Sequence, residues 1–440
     1  MENEHPFVGA LREECVESIR VTIVGCGGMG RRHLAGIAEL MRAGENSVEL
    51  VAVCDLNERN AEELAAEAHD LFGSQPTVFI DLATMVRETD GLEVAGCTTD
   101  TGSHHRVATA LLDLGLHTLC EKPLALTIRG CDRVIAAAER SGKLLSVAEN
   151  YRRDPINRLA RALIADGAIG EPQFIMETAV RGRDDMIITP WRHQKLTGAI
   201  TLDAGVHNAD ILQYYFGSAT SAFGQTRLFE QTRVARETAG PGGYYAKWAA
   251  HLPPTVAATG EDAMFGVITF ANGALGQWVD HYAGHGAPFR HRMVFGTRGS
   301  LAVPEDRTGQ PVRLTRDDGT DFADERVLDY APSYRLDRVA TAIFGEERPW
   351  SYAYEFATTD RKLIALEYAE LAACIRTGAA PEVGGAEAKR AVALVYALFE
   401  SQVANRPVSI AEVESGAVDA YQREIDEHLG LVTAATGGKA

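Results

Sequence analysis

From Arg20 to about residue 150 the chain alternates two kinds of stretch. Short, almost continuously apolar runs at Arg20–Val24, Val48–Cys54, Thr77–Ile80, Leu92–Cys97, His117–Cys120 and Leu144–Ala148 predict strands buried on both faces. Between them, Gly30–Arg42, Asn57–His69, His104–Leu114 and Ile128–Ser141 repeat apolar residues at helical spacing. Such strands separated by amphipathic helices predict a doubly wound parallel sheet of the α/β class.

Beyond residue 150 the pattern changes. "MFGVITFANGALGQWVDHY" places Asn272-Gly273 between two apolar or alternating runs, which predicts a hairpin with a two-residue turn. The expectation is an α+β second domain carrying a large open, mainly antiparallel sheet. Two late segments, "RKLIALEYAELAACIRTG" and "AEAKRAVALVYALFESQVA", are helical by period and pack around the two-domain body. The resulting division is a dinucleotide-binding domain over 1–150, a substrate and oligomerisation domain over 151–405, and a C-terminal extension over 406–440 with an acidic helix and a frayed tail. The Gly, Pro and Tyr-rich stretch from Ala239 to Asp262 reads as a long ordered loop, a lid or an interface arm.

Composition narrows the partners. With 46% hydrophobic and 24% charged residues the 440-residue chain is of ordinary globular type. A formal charge of -18 disfavours nucleic acid and anionic membrane as partners, since both need clustered cations. Seven cysteines (Cys15, Cys26, Cys54, Cys97, Cys120, Cys131 and Cys374) form no C-x-x-C pair and no zinc-type spacing, so no metal is expected. An acidic first segment without an apolar core, and no apolar run of about 18 residues, predict a cytoplasmic protein acting on small molecules.

The first strand and helix are joined by "VTIVGCGGMGRRH", in which Gly25, Gly27 and Gly30 form G-x-G-x-x-G. Gly25 permits the turn, Gly27 lets backbone approach a pyrophosphate, and Gly30 allows close helix packing, with Gly28 and Met29 at the helix N-terminus. Asp55, ending the second strand, suits a ribose diol and repels a 2′-phosphate; Leu56 and Asn57 follow it where an Arg would favour NADP. NAD is therefore preferred. In "LCEKPLA" the pair Glu121-Lys122 interrupts the carboxyl end of an apolar strand, where parallel sheets place their ligands, and Pro123 stops the strand.

"GAITLDAGVHNAD" read as one helix sets Asp203, His207 and Asp210 at i, i+4 and i+7 on one face among apolar neighbours. A metal site, a buried hydrogen-bonded pair and a catalytic site all fit that pattern. Asp210 is expected to pack or hydrogen-bond. Trp191, Arg192 and His193 in "TPWRHQ" supply an aromatic platform and donors for a sugar, or a surface loop. His281 and His285 lack ligand-type context.

Taken in order, "GCGGMG", "VCD", "HRVATALLDLGLHTLCEKPLA", "ENYRRDP", "GAITLDAGVHNADIL", "FANGALG" and "FGTRGSL" resemble the Gfo/Idh/MocA oxidoreductase family over roughly residues 20 to 300. The resemblance implies a Rossmann domain followed by the open-sheet domain, NAD as cofactor, and a reaction site of Lys122, Asp203 and His207. It also implies that Thr99 and His104, in a "TTDTGSHH" loop that departs from the family's usual Thr-Pro-Asn, lie by the nicotinamide ribose, and that Tyr151 and Arg152 reach substrate. Homodimers or homotetramers through the open sheet are implied as well. The activity expected is oxidation of a secondary alcohol of a sugar, sugar derivative or inositol-like polyol. A redox-neutral elimination or glycoside cleavage through a transient ketone is the alternative, and an NAD-sensing regulator a third reading.

Overall fold

The computed structural model describes residues 18–236 and 243–432. Cys15 and part of the 239–262 stretch lie outside them.

The first body comprises β1 (Ile19–Val24), α1 (Gly28–Arg42), β2 (Val48–Cys54), α2 (Glu58–Phe72), β3 (Thr77–Phe79), α3 (Leu82–Glu88), β4 (Leu92–Cys97), α4 (Thr101–Asp113), β5 (His117–Glu121), α5 (Ile128–Ser141) and β6 (Leu145–Ala148), the alternation the hydrophobic pattern predicts except that α3 was not among the expected helices. All six strands are parallel in the order β3-β2-β1-β4-β5-β6. The order reverses between β1 and β4, which opens a crevice at the carboxyl edge. Val21, Ile23, Ala52, Val53, Ala95 and Leu119 are fully buried, as strands covered on both faces require. Two helices start earlier than predicted, α1 at Gly28 and α4 at Thr101, so their N-terminal amides stand closer to the crevice.

A 3-10 turn at Tyr151–Arg153 leads out of the sheet. The Asp154 carboxylate accepts from the Ile156 N–H, and Pro155 occupies the first turn, so α6 (Pro155–Ala165) starts at a fixed point beside the crevice. Then come β7 (Pro172–Gly182), α7 (Ile200–Asp203), α8 (Gly205–Phe216), β8 (Ala219–Arg227), β9 (Thr232–Val234), α9 (Ala246–Ala249), β10 (Thr255–Ala257), β11 (Ala263–Phe270), β12 (Leu275–Gly284), β13 (Phe289–Gly296), β14 (Gly299–Val303), β15 (Arg313–Arg316), β16 (Asp321–Phe322), α10 (Arg338–Phe344), α11 (Phe356–Thr377), α12 (Gly385–Ala404), β17 (Val408–Ser409), α13 (Ile410–Glu414) and α14 (Arg423–His428). Nine strands form one sheet, β16-β15-β14-β13-β7-β12-β11-β8-β17, antiparallel except where β7 meets β12. One face, with Ile175, Ile268, Trp278 and Val294, is completely buried under helices; the other is open.

Two sequence expectations need correction. The hairpin at Asn272-Gly273 is a three-residue loop: Phe270 and Ala274 pair (Phe270 N–H to Ala274 C=O, 3.0 Å), and Gly273 has φ of 84°. A glycine in that left-handed position after a turn gives the bulged hairpin rather than the two-residue one. The helix expected over Gly198–Asp210 breaks at Ala204 into α7 and α8.

Late elements pack across the expected divisions at 150 and 405. Helix α11 returns to the first sheet, where the Tyr368 hydroxyl hydrogen-bonds His33 on α1 at 3.0 Å and Ile364 packs against Gly36. The extension is likewise stitched in: β17 joins the large sheet, the Gln422 side chain accepts from the Ile128 N–H at 3.0 Å, and Arg129 pairs with Asp419. An apolar helix needs a partner surface wherever it falls in sequence, and here the free surface is on the first body. No helix among the described residues is long and apolar enough to cross a membrane.

Candidate active site

The crevice and the second domain enclose a continuous cleft of about 1930 Å³. That exceeds the roughly 300–1,000 Å³ of a single small-molecule pocket and leaves room for two ligands.

At one end stands the glycine turn. Gly25 has φ of 97°, and a Cβ there would lie 2.8 Å from the backbone of Thr98 and Thr99. A Cβ on Gly30 would lie 2.4 Å from the Gly25 carbonyl oxygen, so Gly30 is a packing residue beneath the cleft rather than part of its wall. A Cβ on Gly27 meets nothing within 4 Å; it would project into the free space over the N-terminus of α1, which is the seat an anion needs. Asp55 lines the same end, accepting from the N–H groups of Cys26 (2.7 Å) and Asn57 (2.8 Å). Thr99, Gly28 and Met29 also line the cleft.

Two residues expected at the cofactor act as struts. The buried His104 ring bridges the Pro123 carbonyl (2.8 Å) and the Thr99 carbonyl (3.2 Å), tying two cleft loops together. Glu121 turns inward, accepting from the Lys122 N–H (3.1 Å) and pairing with His33 Nε2 (2.9 Å). Both line the cleft by position, but their polar atoms are engaged in holding its walls.

Lys122, Asp203 and His207 converge at the other end. Lys122 Nζ donates to the Asp203 carbonyl (2.9 Å) and carboxylate (3.1 Å), and Arg192 Nε donates to the other carboxylate oxygen (2.8 Å). Burial raises the Asp203 carboxyl, but Arg192 and Lys122 outweigh it and hold the group well below the usual carboxylate range. Arg192 also lies flat over Trp191, 4.5 Å from the ring centroid.

The break at Ala204 separates the partners of Asp203 and His207. His207 Nδ1 bonds Glu149 Oε1 at 2.6 Å, and the Tyr151 ring stacks on the imidazole at 4.0 Å with planes 4° apart. Burial pulls the His207 pKa below its ordinary value; Glu149 opposes this and Lys122 reinforces it. Burial pushes the Glu149 carboxyl up, yet His207 and the Tyr151 N–H bring it below the ordinary value. A hydrogen bond to the Glu149 carboxylate requires a proton on Nδ1, and burial disfavours a second proton on the ring. Nε2 has no partner among the described residues and faces the cleft as an acceptor.

Arg152 does not line the cleft. Its Nε donates to Asp210 at 2.8 Å and its guanidinium lies 5.1 Å over the Tyr214 ring, so each buried charge is taken up by the other. Asp210 thereby faces Arg152 and not the reaction site. His193 is buried, with Nε2 accepting from the Ile187 N–H at 2.9 Å.

Sequence reasoning missed Glu149 and the cleft residues Arg181, Tyr282, Arg290 and Arg307. Backbone conformation is a further mark of this end. Ile188 (φ 63°) and Arg307 (φ 66°) both line the cleft, and a β-branched residue in the left-handed region is held there only by its surroundings.

Residues 19–149 match the profile described as "Oxidoreductase family, NAD-binding Rossmann fold", and residues 157–302 match the GFO/IDH/MocA C-terminal domain. The chain belongs to the Gfo/Idh/MocA oxidoreductase family. Its first domain is an NAD-binding Rossmann domain. Among the relatives, D-apiose dehydrogenase of Paraburkholderia graminis is 25% identical over 407 residues, spanning 91% of this chain and 92% of the relative. Inositol 2-dehydrogenase of Salmonella paratyphi B is 31% identical over 159 residues, 36% of this chain and 45% of the relative. The solved structure of levoglucosan dehydrogenase in complex with NADH and levoglucosan superposes with a TM-score of 0.68 at 22% identity, covering 90% of this chain and 99% of that one.

Proposed function

We propose that this family member oxidises a secondary alcohol of a sugar, sugar derivative or cyclic polyol, with NAD preferred over NADP. The observation that carries the reading is the convergence of a charge-paired Lys122 and a neutral His207, with one free ring nitrogen, in a cleft that also contains the glycine turn. Relatives that are dehydrogenases of apiose and inositol support the substrate class. Asp55, with Leu56 beside it and no adjacent Arg, supports the cofactor preference.

In this reading His207 Nε2 takes the hydroxyl proton, because it is the unprotonated nitrogen and Glu149 stabilises the imidazolium that forms. Lys122 Nζ donates to the same oxygen as negative charge develops on it, held in place by Asp203. Arg192, shared between Asp203 and Trp191, and Tyr151, stacked on His207, fix the walls against which the sugar ring sits. NAD, when bound over the glycine turn, supplies the hydride acceptor. The alcohol loses one proton and one hydride, and becomes a ketone.

His207→Ala and Lys122→Ala are each expected to lower kcat by about 10²–10⁴-fold, with NADH affinity by calorimetry unchanged. Wild-type turnover in either variant contradicts the assignment.

A further inference from the structure

Residues 243–252, before β10, lie across the mouth of the cleft. Tyr245 lies directly on the helix N-terminus: a Cβ built on Gly28 would sit 2.4 Å from its ring Cε1, and its hydroxyl is 3.9 Å from Met29 Sδ. Trp248, Ala249 and Leu252 continue the same roof. The N-terminus of α1 is therefore flanked at Gly28 by a side chain from the other domain, beside the space left open at Gly27.

Apart from Tyr245, which interacts with the Arg192 guanidinium, what holds this segment down is superficial. Lys247 pairs with Glu63 on α2, both about one-third exposed, and the Arg31 guanidinium lies 5.0 Å over the Trp248 ring. Helix α9 buries no residue. Exposed ion pairs contribute little, and a segment without buried apolar contacts opens at low cost. The roof covers the site firmly enough to dictate glycine at position 28, yet nothing anchors it in a core.

We propose that residues 243–252 form a strap that lifts to admit the dinucleotide and closes over it, with Tyr245 seated beside the pyrophosphate, so that nucleotide release is governed by the strap. The proposal rests on the NAD-linked reading of the same cleft. The aromatic ring, being uncharged, adds no repulsion to a diphosphate, and the neighbouring Arg192 is already held by Asp203. A strap of this kind makes cofactor exchange slower than substrate exchange.

The test measures release of bound NADH from the full-length protein by stopped-flow fluorescence on mixing with excess NAD+, together with amide hydrogen exchange at residues 243–252 with and without NADH. Tyr245→Ala is expected to release NADH at least tenfold faster than wild type, and exchange in the strap is expected to slow when NADH is present. A variant that releases NADH at the wild-type rate, or a strap whose exchange ignores NADH, overturns the strap alone. A wild type that holds no NADH overturns the cofactor reading and the strap with it.

Discussion

His207 acquires its chemistry from Glu149, not from the Asp203 one turn earlier. The 2.6 Å contact fixes the proton on Nδ1 and leaves Nε2 free, while Asp203 serves Lys122 and Arg192. Replacing the carboxylate by an amide removes the one influence that raises the His207 pKa, so the acid limb of the pH profile must move further down. Glu149→Gln is therefore expected to shift the acid limb of kcat/KM to lower pH. It should also lower the plateau about 10–100-fold, the scale of a hydrogen bond to a charged group. A pH profile and plateau matching wild type would show that Glu149 only packs. The sequence pointed to Lys122 and His207 because a charged pair at a strand end and a polar face on an apolar helix both stand out. Glu149 carried the same kind of signal, since it ends the apolar run Leu144–Ala148 as Glu121-Lys122 ends the run before it. A single carboxylate there, without a neighbouring base in sequence, gives no hint of its partner 58 residues on.

At the level of elements, strands and helices of the first body were legible because each strand is buried on both faces and each helix on one. The break at Ala204 was not. Apolar residues continue through it at helical spacing, so periodicity sees one helix, whereas the structure ends α7 at Asp203 and starts α8 at Gly205. On either side of it Asp203 pairs with Lys122 and His207 with Glu149. Arg152 was misplaced for a related reason: Tyr151 and Arg152 are adjacent on a 3-10 turn, which points neighbouring side chains in different directions. Tyr151 faces His207, and Arg152 turns to Asp210. The glycine turn and its following helix were read correctly as a unit, since a strand, three spaced glycines and an amphipathic helix constrain one another.

The whole molecule presents one large unpartnered surface. Phe223 pairs with Val267 across β8 and β11, and Leu275, Phe174 and Phe295 lie side by side across β12, β7 and β13; all are on the sheet face opposite the helices. Phe223, Val267, Leu275 and Phe295 are all more than one-third exposed. Contiguous apolar surface of this kind marks an interaction site, and a self-complementary sheet face suits a second copy. Homodimers or homotetramers through this face are therefore expected. Val267→Lys should yield monomers by analytical ultracentrifugation at micromolar concentration, and an unchanged sedimentation coefficient would move the interface elsewhere. The two-domain scheme was visible in the change of pattern near residue 150, but the return of α11 to the first sheet was not, because an amphipathic helix does not record which surface it covers. Both bodies together make the cleft, and the claim that matters most is that the cleft oxidises an alcohol. The direct measurement mixes the purified protein with NAD+, and separately NADP+, against a panel of inositols, free sugars and glycosides, following NADH absorbance in a single turnover with product masses recorded. The account predicts a stable reduced nicotinamide, formed faster as NADH from NAD+ than as NADPH from NADP+, and a product two hydrogens lighter than one member of the panel. A transient NADH signal with a cleaved or dehydrated product would contradict net oxidation and establish a redox-neutral cycle in its place.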